Sequence, residues 1–312
     1  KLRLFSRLFP YYAMTGLFLI FFVIISIFRN NSFVRISINF LKWLIIVGFF
    51  THTLGLAMRW IISGHAPWSN GYESMIYIAW ATILAGIIFS LQSKLTIGVT
   101  AVVSSLLLMV AHLNWLDPEI TNLVPVLDSY WLMIHVAIIT ASYGFLACGA
   151  LLGFLSLWLM ILSFFLNKDN KNKIGHNISE LTIINEKSLQ IGLFMLTIGT
   201  FLGGVWANES WGRYWGWDPK ETWALVSILV YAFVLHMRFI PSLNSVYTFN
   251  FMSLCSISAI IMSYFGVNYY LSGLHSYAAG DPMPIPMWIY YFIGIVILTG
   301  VFARFSRKKV DI

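Results

Sequence analysis

Charge is scarce in this sequence. Only 10% of its 312 residues are Asp, Glu, Lys or Arg, against 59% hydrophobic, and the mean hydropathy is +0.80. A soluble domain carries about 25% charged residues, so a soluble globular class is excluded. Cysteine is nearly missing as well. Cys148 and Cys255 both lie inside apolar runs, which excludes a disulfide framework or a cysteine metal centre and makes them two small buried hydrophobes. There is no HExxH, no CxxC, no P-loop and no Gly-rich dinucleotide fingerprint. No internal repeat or low-complexity segment is present, and no polar stretch is long enough to make a separate soluble domain. The first apolar run does not read as a cleavable signal peptide, because it has the length of a span and no small-residue cleavage site follows it. The net charge of +7 suits Lys/Arg-rich cytoplasmic loops and does not point to nucleic acid.

What the chain has in abundance is apolar runs of membrane-crossing length. A span needs about 20 such residues. Runs near 11–28, 39–62, 72–91, 95–112, 129–166, 187–207, 219–238, 247–268 and 285–304 predict an all-α, polytopic helical bundle of 8–9 transmembrane helices, forming one domain over 1–312. The fifth run is too long for one crossing and extends beyond the bilayer. Segment 167–187 holds Lys168, Lys171, Lys173 and Lys187, and is expected to be a basic cytoplasmic loop; the tail "RFSRKK" reads the same way. Segment 112–128 has three acids and no Lys or Arg, and reads as external. Counting spans back from the tail puts 207–218 and 269–284 outside, and residue 1 outside too. That placement conflicts with Lys1, Arg3 and Arg7 unless a span is miscounted or an external domain precedes the chain. The start at Lys1 rather than Met favours an upstream segment.

Tryptophan is concentrated in one place. "WANESWGRYWGWDPKETWAL", residues 206–225, holds five of the thirteen tryptophans. An interfacial aromatic belt explains one or two of them. Five in one external segment (about 206–223) suggest a platform of stacked amphipathic rings, and a flat macrocycle such as haem fits it better than a sugar or peptide. Gly212 and Gly216 permit tight turns between the indoles. Asp218, Pro219 and Glu221 spell a helix N-terminus with a capping box, so Asp218 reads as a cap at least as well as a ligand contact. Arg59, Arg213 and Lys220 are the external-side cations that could meet haem propionates.

Histidine supplies the only metal-ligand candidates, seven in all. A di-haem b-type bundle needs paired histidines a few turns apart on its helices. Only His52 and His65 come near that spacing, and Gly64 and Pro67 place His65 at a helix end. His135 and His275 both fall on the external side and flank the tryptophans in sequence. They suit a bis-imidazole iron site, and equally suit hydrogen-bonded positions at a helix end and in a loop. His236, with Arg238 beside it, and His52 lie within spans, where an ionisable group is a functional candidate or an interfacial one. His112 and His176 receive no role.

"WGRYWGWD" at 211–218 fills every fixed position of W-G-x-x-W-x-W-D, and so resembles the WWD signature of the haem-handling membrane proteins. With "RWIISGHAPWSNGYESMIYIAW" (59–80), "YWLMIHV" (130–136) and "GLHSY" (273–277), it is similar to the CcsA (ResC-like) family, the CcsA part of the system II cytochrome c synthase. The resemblance implies a cytochrome c synthase, a lyase-type activity joining haem to protein through thioethers. The haem site would face the periplasm across a bacterial inner membrane. It implies that His135 and His275 are axial ligands to the iron of haem b, and that Trp206, Trp211, Trp215, Trp217 and Asp218 belong to the haem-binding segment. It also implies that His236 holds haem within the membrane. The family pairs that residue with a histidine from a CcsB-like subunit or fused upstream segment, which has no clear counterpart here beyond His52. The implied partners are that CcsB portion, apocytochrome c with its CxxCH, haem and membrane lipid, with no nucleic acid. A haem transporter or chaperone without ligation activity, or a b-type electron carrier, are the alternatives.

Overall fold

A computed structural model describes residues 4–29, 31–113, 116–120, 127–271, 273, 285 and 287–307. Among them there are helices and no strand. In chain order these are α1 (Leu4–Phe28), α2 (Ser32–Ser63), α3 (Gly71–Phe89), α4 (Lys94–His112), α5 (Tyr130–Phe164), α6 (Lys168–Trp211), α7 (Pro219–His236), α8 (Val246–Tyr270) and α9 (Met287–Arg307). All nine contain a stretch long and apolar enough to cross a membrane, so the chain is the all-α multi-span protein that composition predicts. The helices start where short polar side chains can occupy unpaired backbone N–H groups. Asn31, Asn70 and Ser245 accept from the amides of Val34, Glu73 and Thr248 at 2.9, 2.8 and 3.0 Å.

The sixth helix departs furthest from the sequence expectation. Residues 168–187 are helical and not a loop, and the sixth helix also continues past 207 to Trp211. Charge count marks where a chain leaves the bilayer, but it does not mark where a helix ends. Ile174, Ile178, Leu181 and Ile184 recur at helical spacing and are buried, which sustains the helix through its lysines. Trp206 and Trp211 therefore sit on a helix, and the irregular part of the Trp-rich segment shrinks to 212–218.

The chain divides into two compact units, Lys1–Cys148 with Gln190–Tyr214, and Gly149–Leu189 with Trp215–Ile312. In the first, α1 packs on α2 and α4, and α3 packs on α4. In the second, α7 packs on α8, and a buried polar network ties α6 to α8. Asn185 donates to Asn250 at 3.1 Å, Asn250 to Thr182 at 2.8 Å, and Ser253 to Asn185 at 2.9 Å. In apolar surroundings such mutually satisfied side chains fix helix register. A five-residue π-helical stretch, Met262–Gly266, interrupts α8 just before Asn268.

Candidate functional site

His135 lies in the second turn of α5, in the first unit. Its Nδ1 is 2.6 Å from the Gly199 carbonyl of α6. A carbonyl can only accept, so Nδ1 carries a proton, and in the neutral ring the lone pair is then on Nε2. That is the tautomer an imidazole uses to bind a metal through Nε2. The ring lies directly against Gly203: a Cβ there would sit 2.6 Å from His135 Cε1 and 3.1 Å from Nε2. One turn earlier, Gly199 admits Ile139 in the same way. Gly199 and Gly203 form a small-xxx-small pair that lets α5 and α6 approach closely. Their spacing is legible in the sequence, yet nothing in it says that the space is filled by an imidazole.

The end of α6 carries the first tryptophans. Trp206 is 1% exposed and meets Trp211 edge to face, with ring centroids 4.8 Å apart. Gly212 then takes a left-handed conformation (φ 69°), with its N–H 2.9 Å from the Asn208 carbonyl, which closes the helix. Arg213 places its guanidinium 5.7 Å from the centre of the Trp211 ring.

The second unit holds Trp215, Trp217 and Asp218. The two indoles meet edge to face at 5.7 Å, and Trp217 is 69% exposed. Asp218 is the N-cap of α7, as its sequence context predicts. It accepts from the Lys220 amide at 3.2 Å, while Glu221 completes the capping box by accepting from the Asp218 amide. Lys220 turns away and donates to Asn268 of α8 at 2.8 Å. Gly273 abuts this cap: a Cβ there would collide with Asp218 Oδ1 and Pro219 Cδ.

Arg59, expected among the propionate partners, is buried within the first unit, and all its nitrogens have acceptors. Nε donates to Glu73 at 2.8 Å, and the two terminal nitrogens donate to the carbonyls of Pro118 and Glu119 at 3.1 and 3.3 Å. Glu73 is 0% exposed and also accepts from the Ser69 amide at 3.0 Å. Sequence reasoning missed Glu73, because nothing along the chain links it to an arginine fourteen positions earlier. Removing one member leaves the other charge buried and unpaired, which costs about 3–5 kcal/mol. Glu73→Ala is therefore expected to lower the thermal midpoint of the detergent-solubilised protein far more than Glu180→Ala at a half-buried position of α6, as followed by the loss of monodisperse protein on heating.

The remaining histidines fall apart in character. His236 ends α7, is exposed, and has Nδ1 2.7 Å from the Ala232 carbonyl, which again leaves Nε2 with the lone pair. Beside it, Arg238 pairs with Glu186. His52 is 0% exposed, with Nε2 3.0 Å from the Ile76 carbonyl and its ring among Phe5 and Tyr12. His275 lies outside the described residues. Among the described residues no three His, Cys, Asp or Glu side chains gather into a metal-binding group.

A family model described as "Cytochrome C assembly protein" matches residues 68–275, two thirds of the chain. Protein NrfI of Wolinella succinogenes is 49% identical over 292 residues, covering 91% of this chain and 31% of NrfI. The chain thus spans about a third of that relative. The cytochrome c biogenesis protein CcsA of Lobularia maritima is 34% identical over 284 residues, 75% of this chain and 85% of its own length. The CcsA of Prochlorococcus marinus (strain MIT 9301) is 33% identical over 310 residues, 85% and 94% respectively.

Proposed function

The chain belongs to the cytochrome c assembly protein family, and from that premise we propose that it works in cytochrome c biogenesis by exporting haem and presenting it for attachment to apocytochrome c. The observation that carries the reading is the His135 hydrogen bond: Nδ1 donates to the Gly199 carbonyl, the second-sphere contact that orients an imidazole for binding through Nε2. His135 and His275 supply the two imidazoles to haem iron on the periplasmic side of a bacterial cytoplasmic membrane. Trp211, Trp215 and Trp217 supply the aromatic surface, with buried Trp206 beneath Trp211. Arg213, held over Trp211, meets a propionate. Arg59 contributes at one remove, by bracing Pro118 and Glu119.

Asp218 serves first as the cap that fixes where α7 begins, and thereby where the preceding indoles stand. His236 offers its Nε2 to haem within the membrane, with a histidine of a CcsB-like portion as the other ligand; NrfI extends well beyond the stretch it shares with this chain.

In this scheme haem b is the substrate and the client supplies the nucleophiles. The two Cys thiols of CxxCH add across the two vinyl groups, each forming one S–C bond and placing one proton on the other vinyl carbon, while the client His takes over an axial position. The chain contributes position, orientation and water exclusion and no acid–base pair of its own. Bis-imidazole ligation shields the iron from oxygen until the client arrives.

Co-expression of the complete synthase with an apocytochrome c, in a strain lacking other maturation genes, tests the proposal. Haem that stays on the client through denaturing electrophoresis is the expected result. Haem that stays on this protein and is never transferred would make it a carrier without ligation activity, and rapid reversible reduction by quinol would make it an electron-transfer protein.

A further inference from the structure

We propose that Glu221 is a positioning residue whose carboxylate holds the Trp217 indole out for haem, an inference that rests on the haem-presenting function proposed above. Trp217 is the one non-glycine residue with positive φ among the described residues, at 57°. A bulky side chain adopts that left-handed conformation only where its surroundings impose it. Glu221 imposes it from both sides. A single oxygen, Oε2, accepts the Gly216 amide at 2.7 Å and the Asp218 amide at 3.2 Å, the two N–H groups that bracket Trp217. Backbone amides that converge in this way form a concave turn suited to an anion, and here the anion is built into the chain.

The Trp217 carbonyl is also engaged, accepting from the Thr222 hydroxyl at 3.4 Å. Glu221 itself is 8% exposed, so little water competes for its oxygens. Trp217 meanwhile is 69% exposed, and its ring meets that of Trp215 edge to face. Burial of the ring therefore cannot account for the backbone conformation. An ordinary cap would need only the Asp218 amide; the shorter bond, to Gly216, lies outside the capping box and acts on Trp217.

The function of this arrangement is to fix one direction for a ring that is mostly exposed. The same cap also seats Gly273 against Asp218 and Pro219, two residues before His275 in the sequence.

A double-mutant cycle on the full chain in detergent separates the clamp from a simple cap. Glu221→Ala is expected to lower the thermal midpoint by about 3 °C when Trp217 is present. In the Trp217→Gly background it should lower it by less than about 1 °C, because glycine takes positive φ without help. Glu221→Gln should behave like the parent in both backgrounds, since its amide oxygen accepts the same two N–H groups. Equal losses in both backgrounds, or a Gln variant that resembles Ala, would overturn the proposal.

Haem content provides the second measurement. Glu221→Ala should retain roughly tenfold less haem than the parent, the population shift that corresponds to a strained turn released, and Glu221→Gln should retain the parental amount. If Trp217→Gly keeps the parental haem content, the haem role of Trp217 is wrong. The thermal cycle still decides the clamp, so the two failures are distinguishable.

Discussion

The protein carrying His135→Gly, purified from cells that make haem, is expected to lose the low-spin absorption of the parent, and imidazole added to the buffer is expected to restore part of it. Losing even a group that only orients a metal ligand lowers affinity about 10–100-fold; losing the ligand should cost on the order of a hundredfold or more. Rescue follows from the surroundings. Glycine leaves a space shaped like the missing ring against α6, bordered by the Gly199 carbonyl that held the imidazole proton. Free imidazole can donate to that carbonyl through one nitrogen and bind iron through the other. Thioether formation on a co-expressed client should fall in parallel and recover in parallel. A His135→Gly protein that kept the parental spectrum and parental client loading would remove His135 from the site.

Gly203→Val should match that loss without touching the ligand. A Cβ at position 203 would stand 2.6 Å from His135 Cε1 and 2.8 Å from Nδ1, closer than packed atoms approach. The ring must tilt away, and the 2.6 Å hydrogen bond to Gly199 breaks. The imidazole then loses its defined tautomer along with its position. The two variants part on rescue. Imidazole restores His135→Gly, but in Gly203→Val the valine occupies the space that the added imidazole would need. Haem retained at parental levels in Gly203→Val would show that the imidazole has another way to reach iron. The matching control is Gly294→Val in α9, where a Cβ meets nothing within 4 Å; it should leave haem unchanged.

Much of the fold was legible because it rests on one strong force. Nine apolar runs match nine span-length helices among the described residues, since a backbone in lipid has to satisfy its own hydrogen bonds. The α7 cap was legible for a local reason: Asp218, Pro219 and Glu221 lie within four residues, and a capping box needs nothing further away. The failures share the opposite character. Lys168 to Lys187 looked like a loop because charge outweighed the weaker periodicity of Ile174, Ile178, Leu181 and Ile184. Arg59 looked like an available cation because its partner, Glu73, and the carbonyls of Pro118 and Glu119 are brought to it only by folding. The tautomer of His135 depends on a carbonyl 64 positions away. The proposal for His275 rests on its neighbours in "GLHSY" alone, and the residue lies outside the described residues.

The length of α6 carries a consequence for the lipid around the protein. From Glu186, paired with Arg238, to Trp211 is twenty-five residues, about 37 Å at helical rise. The hydrocarbon layer of a bilayer is about 30 Å thick. The charged pair and the indole therefore fall just beyond its two faces, in the headgroup layers where ion pairs and tryptophan are stable. A thicker bilayer draws one of them into hydrocarbon, and a thinner one makes the helix tilt. Gly199 and Gly203 lie on this same helix, so hydrophobic mismatch acts on the backing of His135, and in the function proposed above bilayer thickness becomes a variable of haem presentation.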